Sequence, residues 1–132
     1  RFAELAYLLK KDFNSYIFIS EGPNDKKYVE QMTKALNGKY GINKYVIHNG
    51  KLMTNAAIID RLNLFVTNDT GIMHIASGLR VPLIALFGET NAYEWGPLGE
   101  NKVSIQSPNR KINGINIDSV YKTCIKILKT MP

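Results

Sequence analysis

Apolar residues along this chain fall into two alternating patterns. Short continuous runs are separated by stretches that are apolar only at every third or fourth position. Helical spacing first appears over residues 2–11, through Phe2, Leu5, Leu8 and Leu9. Tyr16-Ile17-Phe18-Ile19-Ser20 is a β-rich run that Glu21-Gly22-Pro23-Asn24 breaks. Asn24 or Asp25 can cap the next helix, which carries Tyr28, Val29, Met32 and Leu36 and ends near Asn37-Gly38. Tyr45-Val46-Ile47 predicts a second strand, and residues 54–62 predict a short helix through Ala57, Ile58 and Leu62. A third strand is predicted over 64–67. After Asp69-Thr70-Gly71 comes a helix with Met73, Ile75, Ala76 and Leu79, stopped by Pro82. Leu83-Ile84-Ala85-Leu86-Phe87 is apolar throughout, as a strand covered on both faces must be. A loop from Gly88 to Gly99, a weaker strand over 103–105 and a last helix over 117–129 complete the order.

Strands and helices therefore alternate from end to end. That order predicts an α/β fold of the Rossmann-like kind, with βαβ units, a parallel sheet and helices on both faces. The 132 residues are one domain's worth, and no internal repeat or linker divides them, so 1–132 is expected to be a single domain. No apolar run approaches the ~20 residues a membrane span needs. The single cysteine, Cys124, sits among Val120, Ile125 and Leu128 and is expected to be a buried small hydrophobe. Net charge is +6, but the lysines are scattered, with no dense basic run interleaved with aromatics. That argues against a nucleic-acid surface and leaves solubility or attraction to anionic lipids.

In parallel sheets of this kind ligands sit outside the carboxyl ends of the strands, so the informative loops follow residues 20, 48, 67 and 87. The densest polar signal is Thr67-Asn68-Asp69-Thr70-Gly71-Ile72-Met73-His74. Asp69 can cap the helix, and Gly71 clears space beside the backbone. Amides from Thr70 to Met73 then face an anion such as a diphosphate. Thr70 adds a hydroxyl, and His74 lies one turn further on the same face. The plainer reading makes Asp69 a cap and His74 a satisfied half-buried residue. Gly88 and Thr90 follow the neighbouring strand and can meet the same ligand, with Glu89 turned outward or towards a sugar hydroxyl. Tyr93-Glu94-Trp95-Gly96-Pro97 either walls that ligand's pocket or, on the better reading, is a loop anchored by one buried aromatic. Lys51, after His48-Asn49-Gly50, either meets a phosphate or belongs to a solvated turn.

The linked runs Asn68-Asp69-Thr70-Gly71-Ile72-Met73-His74-Ile75-Ala76, Val81-Pro82-Leu83-Ile84-Ala85-Leu86-Phe87-Gly88-Glu89-Thr90 and Trp95-Gly96-Pro97-Leu98-Gly99 resemble the C-terminal domain of the ADP-heptose:lipopolysaccharide heptosyltransferases, glycosyltransferase family 9. Arg1-Phe2-Ala3-Glu4-Leu5-Ala6 resembles the helix after that domain's first strand. The resemblance implies a GT-B architecture whose C-terminal half binds an ADP-sugar. The other half binds a lipid-linked saccharide acceptor and supplies the catalytic acid/base. It implies substrate-binding roles for Asp69, Thr70, Gly71 and His74, with Met73 near the nucleotide. It also implies an inverting reaction, no metal and no cofactor. The setting would be the bacterial cytoplasm, with room for a peripheral contact at the inner membrane.

Two departures stand out. Thr54-Asn55 occupies the place where the family usually has an acidic residue for the ribose. The domain's first strand, whose loop supplies a Ser/Thr and a Lys for the phosphates, is not in the chain. No catalytic residue is therefore assigned within 1–132, and no turnover is expected of the piece alone. In the order 3-2-1-4-5-6 that strand is central, so its neighbours would be left unpaired or paired otherwise. The competing expectations are a nucleotide-sugar enzyme of another reaction and a binding module that has lost catalysis.

Overall fold

The computed structural model describes residues 1–131. Its elements are α1 (Phe2–Phe13), β1 (Phe18–Ser20), α2 (Lys26–Asn37), β2 (Val46–His48), α3 (Leu52–Ile59), β3 (Phe65–Asn68), α4 (Gly71–Ser77), β4 (Leu83–Phe87), α5 (Ala92–Trp95), β5 (Lys102–Gln106) and α6 (Ile117–Lys129). A single 3-10 turn, Ile112–Gly114, precedes α6. The alternation read from the sequence is present, with strand limits moved by one or two residues. The one addition is α5, within the stretch expected to be loop.

Contacts divide the chain into two compact units, Arg1–Asn55 and a second from Ala56 onwards. Each has its own parallel sheet, β1-β2 in the first and β3-β4-β5 in the second. These are the pairings that the order 3-2-1-4-5-6 gives on either side of its first strand. Register pairs Phe18 with Val46 and Ser20 with His48 in the first unit. In the second it pairs Phe65 with Leu83 and Asn68 with Leu86, then Leu83 with Lys102 and Phe87 with Gln106.

In the first unit α1 and α2 close over a core of Ala3, Ala6, Ile19, Val29, Leu36 and Ile42. Tyr7 and Tyr40 stack at its margin, their ring centroids 5.1 Å apart. Asn14 ends α1 in the left-handed conformation with its amide on Lys10 O, a common helix stop. Asp25 precedes α2, but its carboxylate takes no helix amide. It accepts from Gly22 N at 2.9 Å and closes the Glu21–Asp25 turn.

In the second unit all five β4 residues are buried, as the unbroken apolar run required. Met73 and Ala76 from α4, Val81, and Val120 and Cys124 from α6 are buried as well. Cys124 is completely buried, and burial pushes its thiol up to about 12. Asn116, rather than Asp118, caps α6 by accepting from Asp118 N.

Candidate functional site

The β3 strand delivers its last residue, Asn68, to the carboxyl edge of the second sheet. Asp69 N continues the ladder by donating to Leu86 O at 3.0 Å. That bond holds Asp69 at the end of the strand, one residue short of the helix. The N-cap of α4 is therefore Thr70, whose side chain makes no capping bond. The expectation that Asp69 caps α4 is corrected here. Its carboxylate faces the imidazole of His74 instead, with Asp69 Oδ1 and His74 Nε2 3.5 Å apart. The His74 side chain is 52% exposed and the Asp69 side chain 21%, so the pair sits at the surface.

Other expected site residues separate by burial. Thr70 and Gly71 are exposed. A Cβ placed on Gly71 would meet nothing within 4 Å, so protein packing does not require glycine there. Met73 is completely buried and its side chain belongs to the core, which removes it from any exposed contact with a nucleotide. The amides of Met73 and His74 both turn back onto Thr70 O, at 3.1 and 3.4 Å. The amides open to an anion are thus those of Thr70, Gly71 and Ile72, a smaller set than the sequence suggested. Because α4 has only seven residues, its dipole is modest, and more weight falls on Thr70 and the Asp69–His74 pair.

The loop after β4 is held differently from expectation. Trp95 is 58% exposed and Tyr93 96%, so no buried aromatic anchors it. The anchor is Gln106 at the end of β5. Its Oε1 accepts from Ala92 N at 2.8 Å, and its Nε2 donates to Gly88 O at 2.8 Å. Gly88 is needed for packing, since a Cβ there would lie 2.9 Å from Ile112 N. Thr90 is half-buried and Glu89 exposed. Lys51 is exposed, immediately before α3, and belongs to the first unit, whereas α4 belongs to the second.

Three residues outside the predicted set, His48 at Nδ1 among them, hold buried polar atoms with no partner in the structure. Asn68 Oδ1 lies immediately before Asp69, and Asn55 Oδ1 lies in the first unit, where Asn55 Nδ2 donates to Ser20 Oγ at 2.7 Å. Asn68 was legible only as part of the polar run. Gln106 gave no local signal, because its partners lie 14–19 residues away. Among the described residues, no group of three or more His, Cys, Asp or Glu is placed to hold a metal, and no helix is long and apolar enough to cross a membrane.

The family model described as glycosyltransferase family 9 (heptosyltransferase) matches residues 1–124. Lipooligosaccharide heptosyltransferase 2 of Haemophilus influenzae is 41% identical over 59 residues, which cover 43% of this chain and 17% of that protein. The solved structure of the E. coli heptosyltransferase WaaC with ADP superimposes with a TM-score of 0.76 at 23% identity, covering 95% of this chain and 38% of its own. E. coli ADP-heptose lps heptosyltransferase II gives a TM-score of 0.83 at 23% identity, covering 97% and 40%. The chain thus spans about two-fifths of the solved relatives and a smaller part of the curated relative it matches.

Proposed function

The chain belongs to glycosyltransferase family 9 (heptosyltransferase), and from that premise we propose that residues 1–132 form the donor-binding half of a GT-B enzyme. The donor is an ADP-sugar carrying heptose or a related sugar. The acceptor is a lipid-linked saccharide of the lipopolysaccharide type, held by a further domain that also supplies the base. Displacement at the anomeric carbon is direct and inverts it: the acceptor oxygen forms the new bond as the bond to the diphosphate breaks. A peripheral position at the inner face of the bacterial membrane suits such an acceptor.

The observation that carries this reading is the exposed Asp69–His74 pair beside Thr70 and the open face of Gly71. Free amides at Thr70 to Ile72 and the Thr70 hydroxyl are donors suited to diphosphate oxygens, and His74 adds one in its imidazolium form, through the ring nitrogen that does not face Asp69. Directed donors of this kind stabilise the charge that builds on a departing diphosphate. Asp69 is an acceptor, so its place is against the imidazole and a sugar hydroxyl rather than a phosphate. Gly88 and Thr90 contribute from the neighbouring loop. The ADP named with one solved relative supports the choice of nucleotide.

Calorimetric titration of ADP, UDP and GDP into the chain tests the proposal. Selective binding of ADP that weakens when Asp69 or His74 is replaced by alanine is the expected result. Binding of none of the three would turn the assignment towards a module that keeps the fold without the ligand. Sugar transfer from an ADP-sugar by the 132 residues alone would overturn the assignment of the catalytic base to another domain.

A further inference from the structure

Lys102 opens β5, and its side chain runs back under the turn that follows α4. The ammonium lies 2.6 Å from Leu79 O, 2.6 Å from Val81 O and 3.4 Å from Ala76 O. An ammonium has three N–H donors, and all three are directed at this one stretch of backbone. Carbonyls at the end of a helix have no intrahelical donor, and a positive charge beside them complements the dipole. Burial lowers the Lys102 pKa and Asp60 opposes that shift, so the charge is kept at a cost where it holds several groups together.

The same turn is gripped from its outer side. Asp60 accepts from Arg80 N at 2.9 Å and from the Arg80 guanidinium at 2.7 Å. Asn101 Nδ2 donates to Arg80 O at 2.9 Å. A helix of seven residues is too short to hold itself in water, so its direction depends on what fastens its ends. The front end is fastened by Asp69 N on Leu86 O, by the buried Met73 and by the long Asp69–His74 contact.

We propose that Lys102 is a positioning residue for the Asp69–His74 segment: by holding the carbonyls behind α4 it fixes where Thr70, Gly71 and His74 point. It rests on the donor-binding reading for the ligand concerned. Lys102 touches Ala76 O, about 9 Å of helical rise from Thr70, six residues away, at the far end of α4. Its role is therefore distinct from that of a phosphate-binding lysine.

The test compares the full chain with Lys102→Met and Lys102→Arg. ADP affinity is measured well below the melting temperature, and amide hydrogen exchange is followed by NMR without ligand. In Lys102→Met the Met73 and His74 amides are expected to exchange at least tenfold faster, with Ile84 and Leu86 unchanged and ADP affinity down about tenfold. A merely structural role would lower the melting temperature and speed exchange throughout, leaving ADP affinity of the folded fraction intact; that pattern overturns the proposal. Lys102→Arg keeps the charge but cannot converge three donors on one point, so a smaller loss of the same kind is expected. It decides the matter if the methionine variant does not fold. If the wild-type chain binds no ADP, the donor reading fails, while the exchange comparison still decides whether Lys102 holds α4.

Discussion

His74 Nε2 lies 3.5 Å from Asp69 Oδ1, across the first turn of α4, and both side chains remain open to solvent. A carboxylate and an imidazole placed this way hold each other's orientation, the Nε2 edge of the ring turned to the carboxylate. On the donor-binding proposal the site's chemistry rests on this pair, because the helix behind it is too short to supply a large dipole.

His74→Ala is expected to weaken ADP binding about tenfold, in keeping with the loss of one hydrogen bond to a charged group. Stability should change by no more than about 0.5 kcal/mol, since the imidazole packs against little. Asp69→Ala should act in the same direction, and the double variant should lose less than the sum because the residues act together. Calorimetry on the four proteins checks this. Wild-type affinity in His74→Ala would remove the residue from the site.

Gly71 and Gly88 should behave oppositely. Gly71→Ala meets open space and helical backbone, so stability should hold or rise by about 0.5–1 kcal/mol, while ADP affinity falls if a diphosphate approaches that face. Gly88→Ala pushes a methyl against the backbone of Ile112, which cannot swing aside, and should cost about 1–3 kcal/mol. Urea unfolding and ADP titration of both variants give the four numbers. Equal affinity in Gly71→Ala and wild type would show that no ligand comes close there.

Cys124 should resist alkylation at pH 8 in the folded chain and react readily in urea. Its thiol stands at about 12 because burial disfavours the thiolate. The sign for stability follows. The unfolded thiol ionises near 9, so the contribution is fully present below that pH and is lost as pH rises towards 12. Iodoacetamide labelling read by mass spectrometry is the measurement. Rapid labelling of folded protein would contradict the burial.

Asn55 is 7% exposed, with Oδ1 unpartnered and Nδ2 on Ser20 Oγ. Asn55→Leu removes a stranded amide oxygen along with one hydrogen bond and should raise stability by about 1 kcal/mol. Urea midpoints decide. A loss of similar size would mean that the oxygen has a partner, such as a bound water.

Much of the fold was legible because its signals are local. The unbroken run from Leu83 to Phe87 had to be a strand covered on both faces, and every one of its residues is buried. The helical spacing of Val120 and Cys124 predicted their burial in α6. The candidate site was legible as a segment but not as a set of roles. Asp69, Thr70, Gly71 and His74 fall together at one strand end, as read. Which of them caps, which pairs and which is buried was settled elsewhere: Asp69 is held by Leu86 O on the next strand, and Met73 is drawn into the core.

The sequence by itself determined the α/β alternation and the place of the polar loop, since hydrophobic period and turn residues act over a few positions. Only the tertiary structure decided the partners of the polar side chains. Gln106 holds a loop 14–19 residues away, and Lys102 holds carbonyls 21–26 residues away. Such pairings cost chain entropy to bring together and are set by how the elements pack, which no local pattern records.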